Sequence, residues 1–219
     1  EEKLVPFAYS WGYEALIKEA PTLRSQRSEI RKDLGIPEAS FVILFCGRLS
    51  KEKAPFQLLQ AYQLIKQPNK ALAFVGDGEL KESMEGYASS SEVGPVYFFG
   101  FQNRENLLKF YAVADVLVLP SSRETWGIVV NEALSMGLPA IVSDQVGAGS
   151  DLVSHGHNGF IFANGDVPGL AACINDLMSL SEAERQAMGK RSQELIKAWT
   201  QRNLAQSLEH VLNSISSRR

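Results

Sequence analysis

From Phe41 onward the sequence alternates short runs rich in β-branched and aromatic residues with longer amphipathic segments, and no other feature restricts its fold as strongly. Continuously apolar strands separated by helices specify a parallel sheet covered on both faces, because each crossover lays a helix against the sheet. The runs predict strands at 41–46, 70–75, 95–99, 115–119, 139–143 and 159–162, with helices near 54–66, 79–89, 103–113, 127–136 and 149–154. Right-handed crossovers then make a doubly wound, Rossmann-like α/β sheet of about six strands the simplest topology.

Beyond the last strand the pattern becomes helical, over Asp166–Leu180, Ser181–Trp199 and Thr200 to about Ser214. Ser181 and Glu184 have the spacing of a capping box. In the final segment Leu204, Leu208, Val211, Leu212 and Ile215 recur at helical spacing and give it one apolar face to bury. The first forty residues differ: Lys3–Phe7 reads as a short strand, followed by polar, helix-compatible sequence up to Ile36-Pro37. At 219 residues and 45% hydrophobic content the expectation is a single domain. It divides into a lead-in (1–40), a Rossmann-like core (41–165) and C-terminal helices (166–219).

A formal net charge of −3, with 22 basic and 25 acidic residues spread along the chain, leaves no basic footprint for nucleic acid. Phosphate binding has to be local. Cys46 and Cys173 both sit in apolar surroundings and read as core residues, not as a disulfide framework. No apolar run approaches membrane-spanning length and Glu1-Glu2-Lys3 is no signal peptide, so the expected location is cytoplasmic.

In an open α/β sheet, ligands bind beyond the carboxyl ends of the strands, which directs attention to the loops there. Gly47-Arg48-Leu49-Ser50-Lys51-Glu52-Lys53 puts an arginine at a strand end and a lysine beside the next helix start. Two cations in that place suit a diphosphate, although the segment alone reads more readily as a solvated basic loop. Gly76-Asp77-Gly78 is at best half of a dinucleotide fingerprint, because Lys81 stands where the third glycine belongs; a tight turn is the simpler reading.

The sharpest signal is Pro120–Glu132. Glu124 precedes a predicted helix, and Glu132 lies within it among Ile128, Val129, Val130, Ala133 and Leu134. A carboxylate in so apolar a helix needs a reason: a buried partner, an exposed polar stripe shared with Asn131 and Ser135, or a ligand. The helix start beside Gly127 presents free amides that favour an anion. Cations, amides and carboxylates together ask for a ligand with both phosphates and hydroxyls, as in a nucleotide-sugar.

The ordered motifs Gly-Arg-Leu-x-x-x-Lys, Gly-Asp-Gly, Phe-x-Gly-Phe, Glu-x-x-Gly-Ile-Val-x-x-Glu-Ala and Gly-Leu-Pro-x-Ile span Phe41 to Phe162. In this order they resemble the C-terminal, donor-binding domain of retaining GT-B glycosyltransferases of the glycosyl transferases group 1 family. The resemblance implies one half of a GT-B fold, with transfer from a nucleoside diphosphate sugar to a glycan, lipopolysaccharide or glycolipid acceptor. It implies catalytic roles for Arg48 and Lys53 at the diphosphate and Glu124 at the donor-sugar hydroxyls, with Glu132 on the ribose hydroxyls. Backbone amides of Gly127, Ile128 and Val129 would meet sugar and phosphate, Phe101, Gln102 and Leu107 would flank the base, and Gly47 and Trp126 would complete the pocket.

Two positions depart from the family pattern. Ala54 stands where glycine often follows the lysine, and Trp126 where phenylalanine is usual. The resemblance also implies an N-terminal acceptor-binding domain, for which forty residues are too few, so the chain is expected to be an inactive half on its own. Acceptor contacts and any peripheral membrane association would then belong to that other domain. No cofactor is expected beyond the donor, a UDP-sugar first and GDP- or ADP-sugars as alternatives.

His155-Gly156-His157 lacks a completing ligand set and reads as a turn, and neither Asp115 nor Asp144 belongs to an Asp-x-Asp pair, so no metal is expected. Rival readings are a GT-B epimerase, a phosphorylase-like enzyme, or a non-catalytic nucleotide-sugar-binding module.

Overall fold

The computed structural model describes residues 13–91 and 93–199, with six more between 205 and 213. The proposed strand at Lys3–Phe7 and most of the last proposed helix lie outside the described residues. Of that helix's apolar face, Leu208 and Leu212 are described, and both are exposed.

Six strands, β1 (Phe41–Cys46), β2 (Lys70–Val75), β3 (Val96–Phe98), β4 (Val116–Leu119), β5 (Ala140–Ser143) and β6 (Gly159–Phe162), form one sheet in the order β3-β2-β1-β4-β5-β6. Every pairing is parallel. The chain builds β1, β2 and β3 in one direction, then returns beside β1 to build β4, β5 and β6 in the other. That reversal makes the carboxyl ends of β1 and β4 the switch point, where doubly wound sheets open a ligand crevice.

The strands form where the sequence is β-branched, aromatic and apolar on both faces. β1, β4 and β5 are buried at every position, as two-sided helical cover requires. The covering helices are α3 (Pro55–Leu64), α4 (Lys81–Ser90), α5 (Arg104–Val113), α6 (Ile128–Ser135), α7 (Gly147–Leu152), α8 (Val167–Ser179) and α9 (Glu182–Ile196). Side-chain caps fix three of their starts: Asn103 accepts from the Asn106 amide, Asp166 from that of Gly169, and Ser181 forms the full capping box with Glu184.

From Tyr13 onward, the segment expected as a lead-in packs into the core. It forms two helices ahead of the sheet, α1 (Tyr13–Ser25) and α2 (Arg27–Asp33), and buries Tyr13, Leu16, Ala20 and Ile30. The second is pinned by Arg31, only 3% exposed. Its guanidinium donates to the carbonyls of Val113, Glu38 and Ser40 and to Asp115 Oδ2 at 3.1 Å. Asp115 also accepts from Arg27 at 2.8 Å and from the Val42 amide.

Candidate functional site

At the switch point, loops from five strands are laced together by backbone hydrogen bonds. After β1, the Leu49 amide donates to the Asp77 carbonyl, and the Leu80 amide returns to Leu49. Gly76 and Gly78 permit this approach: a Cβ at Gly76 would lie 1.9 Å from the Gly47 carbonyl oxygen, and one at Gly78 2.4 Å from that of Leu49. Gly76-Asp77-Gly78 is therefore a packing turn that supports the arginine loop. The Gly76 amide in turn donates to Gly100, which ties in the loop after β3.

The loop after β4 joins the same bundle. Ser122 donates through its amide to the Glu52 carbonyl, the Glu124 amide donates to Gln145, and the Gly147 and Ala148 amides donate to Glu124 and Trp126. These bonds hold Glu124 between the β1 and β5 loops. Its Oε2 accepts a hydrogen bond from the ammonium of Lys53, and both side chains are largely shielded from water. Arg48 is different: its side chain is 75% exposed, and Glu79, its nearest carboxylate partner, lies 4.0 Å away.

Gly127 starts α6 with φ 101°, a conformation that side chains other than glycine resist, and a Cβ there would press on Leu119 and Val146. The turn aims the first amides of α6 into the crevice, and those of Ile128 and Val129 take no partner among the described residues. Trp126 donates its indole N–H to Asn131 Oδ1 at 2.9 Å and packs on Trp199, so the departure from phenylalanine adds a hydrogen bond under the site.

Asn131, Glu132 and Ser135 form no exposed stripe, since all three are buried. Glu132 Oε2 accepts from the buried Tyr111 hydroxyl at 2.9 Å. Burial pushes the Glu132 carboxyl above the ordinary glutamate range, opposed by the Tyr111 hydrogen bond and the charge of Arg104. Tyr111, which sequence reasoning missed, is itself raised well above its ordinary value by burial and remains a protonated donor.

The remaining candidates are more dispersed. Phe101 is 80% exposed in the loop after β3. Gln102 donates to the Phe99 carbonyl and Leu107 packs against the core from α5. His155 Nδ1 accepts from the Ile161 amide and Asn158 closes the turn, as expected of a structural loop. Among the described residues no group of His, Cys, Asp and Glu has the arrangement to hold a metal ion. A cavity of about 1020 Å³ opens at the amino ends of the strands, lined by Arg24, Arg27, Arg31, Asp115 and Arg185 among others. Arg27 and Arg31 are engaged by Asp115 there, and Arg24 and Arg185 donate to the Met136 and Leu180 carbonyls. This end of the sheet is a structural anchor, opposite the crevice.

The sequence model of the glycosyl transferases group 1 family matches residues 26–195. The chain is 37% identical over 177 residues to the sulfoquinovosyl transferase of Arabidopsis thaliana, covering 80% of this chain and 33% of that protein. It is 28% identical over 204 residues to the lipopolysaccharide 1,2-N-acetylglucosaminetransferase of Salmonella typhimurium, covering 87% and 53% of the two chains. Among solved structures, HepE of Anabaena in complex with UDP matches with a TM-score of 0.77 at 23% identity, covering 96% of this chain and 57% of that one. Sucrose-phosphate synthase from Thermosynechococcus elongatus matches with a TM-score of 0.74 at 24% identity, covering 88% and 49%. The chain thus spans between a third and about three-fifths of the lengths of these proteins.

Proposed function

Because the chain belongs to the glycosyl transferases group 1 family, we propose that it is the donor-binding half of a retaining, hexosyl-transferring GT-B enzyme. The observation that carries this reading is the convergence of Lys53, Glu124, Glu132 and the α6 amides at the β1/β4 switch point, with Arg48 at its rim. A second, acceptor-binding domain would supply the other wall of the cleft. Relatives named as transferases of sulfoquinovosyl and N-acetylglucosaminyl groups favour transfer over the epimerase and non-catalytic alternatives. The UDP and UDP-glucose complexes of the Anabaena neighbour favour a uridine donor.

In this reading Arg48, Lys53 and the amides of Gly127, Ile128 and Val129 hold the diphosphate and donor sugar. Glu124 accepts from the sugar hydroxyls, and Glu132 from the ribose. Gly47 and Trp126 shape the pocket, while Phe101, Gln102 and Leu107 flank the base. The anomeric carbon–oxygen bond breaks with its electron pair passing to the diphosphate. The acceptor oxygen forms the new bond from the same face, and its proton goes to the departing phosphate oxygen. Fixed positive charge at the diphosphate is this chain's main contribution, since the negative charge develops there. Glu124, already hydrogen-bonded to Lys53, is a positioning group and not a nucleophile.

Thermal unfolding with and without nucleotide tests the reading. UDP should raise the melting temperature with the logarithm of its concentration above Kd, more than ADP does, and the rise at a given concentration should shrink in Lys53→Ala. Equal shifts in the parent and in Lys53→Ala would remove the diphosphate assignment.

A further inference from the structure

We propose that Tyr111 is a positioning residue for donor binding, its hydroxyl fixing Glu132 Oε2 so that Oε1 is presented to the ribose hydroxyls; this rests on the donor-site reading of Glu132. The two residues come from neighbouring helices, 21 positions apart, and meet at 2.9 Å. Tyr111 is fully buried and Glu132 is 8% exposed, so water cannot replace the bond.

The Tyr111 hydrogen bond engages Oε2 alone, so that Oε1 is the oxygen left to a ligand. A carboxylate free to turn about its terminal torsion would lose orientation on binding, and anchoring one oxygen removes that cost in advance. The other polar neighbour of the tyrosine hydroxyl is the thiol of Cys46 at the end of β1, which burial keeps protonated and uncharged. The bond thus joins β1, α5 and α6 beneath the crevice, and the same contact that makes a buried carboxylate tolerable also aims it.

The test compares UDP with its 2′,3′-dideoxy analogue, by calorimetry, on the 219-residue chain. The parent should prefer UDP, and Glu132→Gln should abolish the preference. Tyr111→Phe should weaken UDP binding about tenfold, the scale of one hydrogen bond to a charged group, while leaving the analogue within about twofold. Equal losses for both ligands, or no loss, would overturn the positioning role. If the parent shows no preference for UDP, the ribose assignment of Glu132 fails first and this inference with it.

Should Tyr111→Phe alone not fold, the double variant Tyr111→Phe/Glu132→Gln leaves no unpartnered carboxylate at this site and carries the comparison. Its UDP affinity should equal that of Glu132→Gln. A further loss in the double variant would overturn the proposal.

Discussion

Lys53 and Glu124 meet across the crevice, the lysine ammonium donating to the glutamate Oε2 and tying the loop after β1 to the loop after β4. In the donor-free chain each neutralises the other's charge, and both belong to the proposed binding surface. Lys53→Ala should lower UDP affinity about tenfold or more, the scale of a charge-assisted contact, and should flatten its salt dependence. Calorimetry at two ionic strengths measures both; an unchanged salt slope would mean that Lys53 does not face the diphosphate.

Ala54 adopts φ 48° at the start of α3, in the left-handed region where a Cβ is strained. Relief of that strain, of order 1–2 kcal/mol, outweighs the added chain entropy of a glycine in the unfolded state. Ala54→Gly should therefore stabilise the chain by about 0.5–1 kcal/mol in urea unfolding. Destabilisation would show that the Ala54 methyl, which is buried, contributes more packing than the strain removes.

Glu132 gives stability a pH dependence of known sign. Its folded carboxyl is raised by burial, so the folded chain keeps a proton that the unfolded chain has already released. Stability contributed at this group is lost as pH rises from the ordinary glutamate range through the raised value. Glu132→Gln removes the slope, and its stability relative to the parent should improve as pH rises above about 4.5 and level off once the folded carboxyl has ionised. Paired urea titrations check it; a difference that is constant with pH would contradict it.

Asp115 is the only carboxylate that pairs with the buried Arg31 among the described residues. Burial already disfavours the Arg31 charge, lowering its pKa, and the neighbouring Arg27 adds to that. Asp115→Ala leaves two arginines and the Val42 amide without this partner, and should cost about 3–5 kcal/mol in urea unfolding. A loss below about 1 kcal/mol would mean that the carbonyls of Val113, Glu38 and Ser40 suffice to hold the guanidinium.

The sheet was legible in the sequence because strands buried on both faces are written as unbroken apolar runs, such as Phe41–Cys46 and Val116–Leu119. The crevice was legible as a motif, since the Glu-x7-Glu spacing of Glu124 and Glu132 is carried by one loop and the helix after it. The first two helices were not recognised as core, because their buried positions Tyr13, Leu16 and Ala20 stand among exposed polar residues. Contacts set by folding alone left no local trace: Tyr111 with Glu132, Arg31 with Asp115, and Gly76 against Gly47 join separate elements. Ala54 shows the intermediate case, where a departure from a pattern was visible but the left-handed backbone that strains it was not.

Calorimetric titration of the 219-residue chain with UDP, GDP and ADP tests the central claim most directly. The account predicts saturable binding that favours UDP, and weakening in both Arg48→Ala and Glu132→Ala. Nucleotide binding unaffected by either substitution, or none for any nucleotide at millimolar concentration, would contradict a donor site at the β1/β4 switch point of this chain.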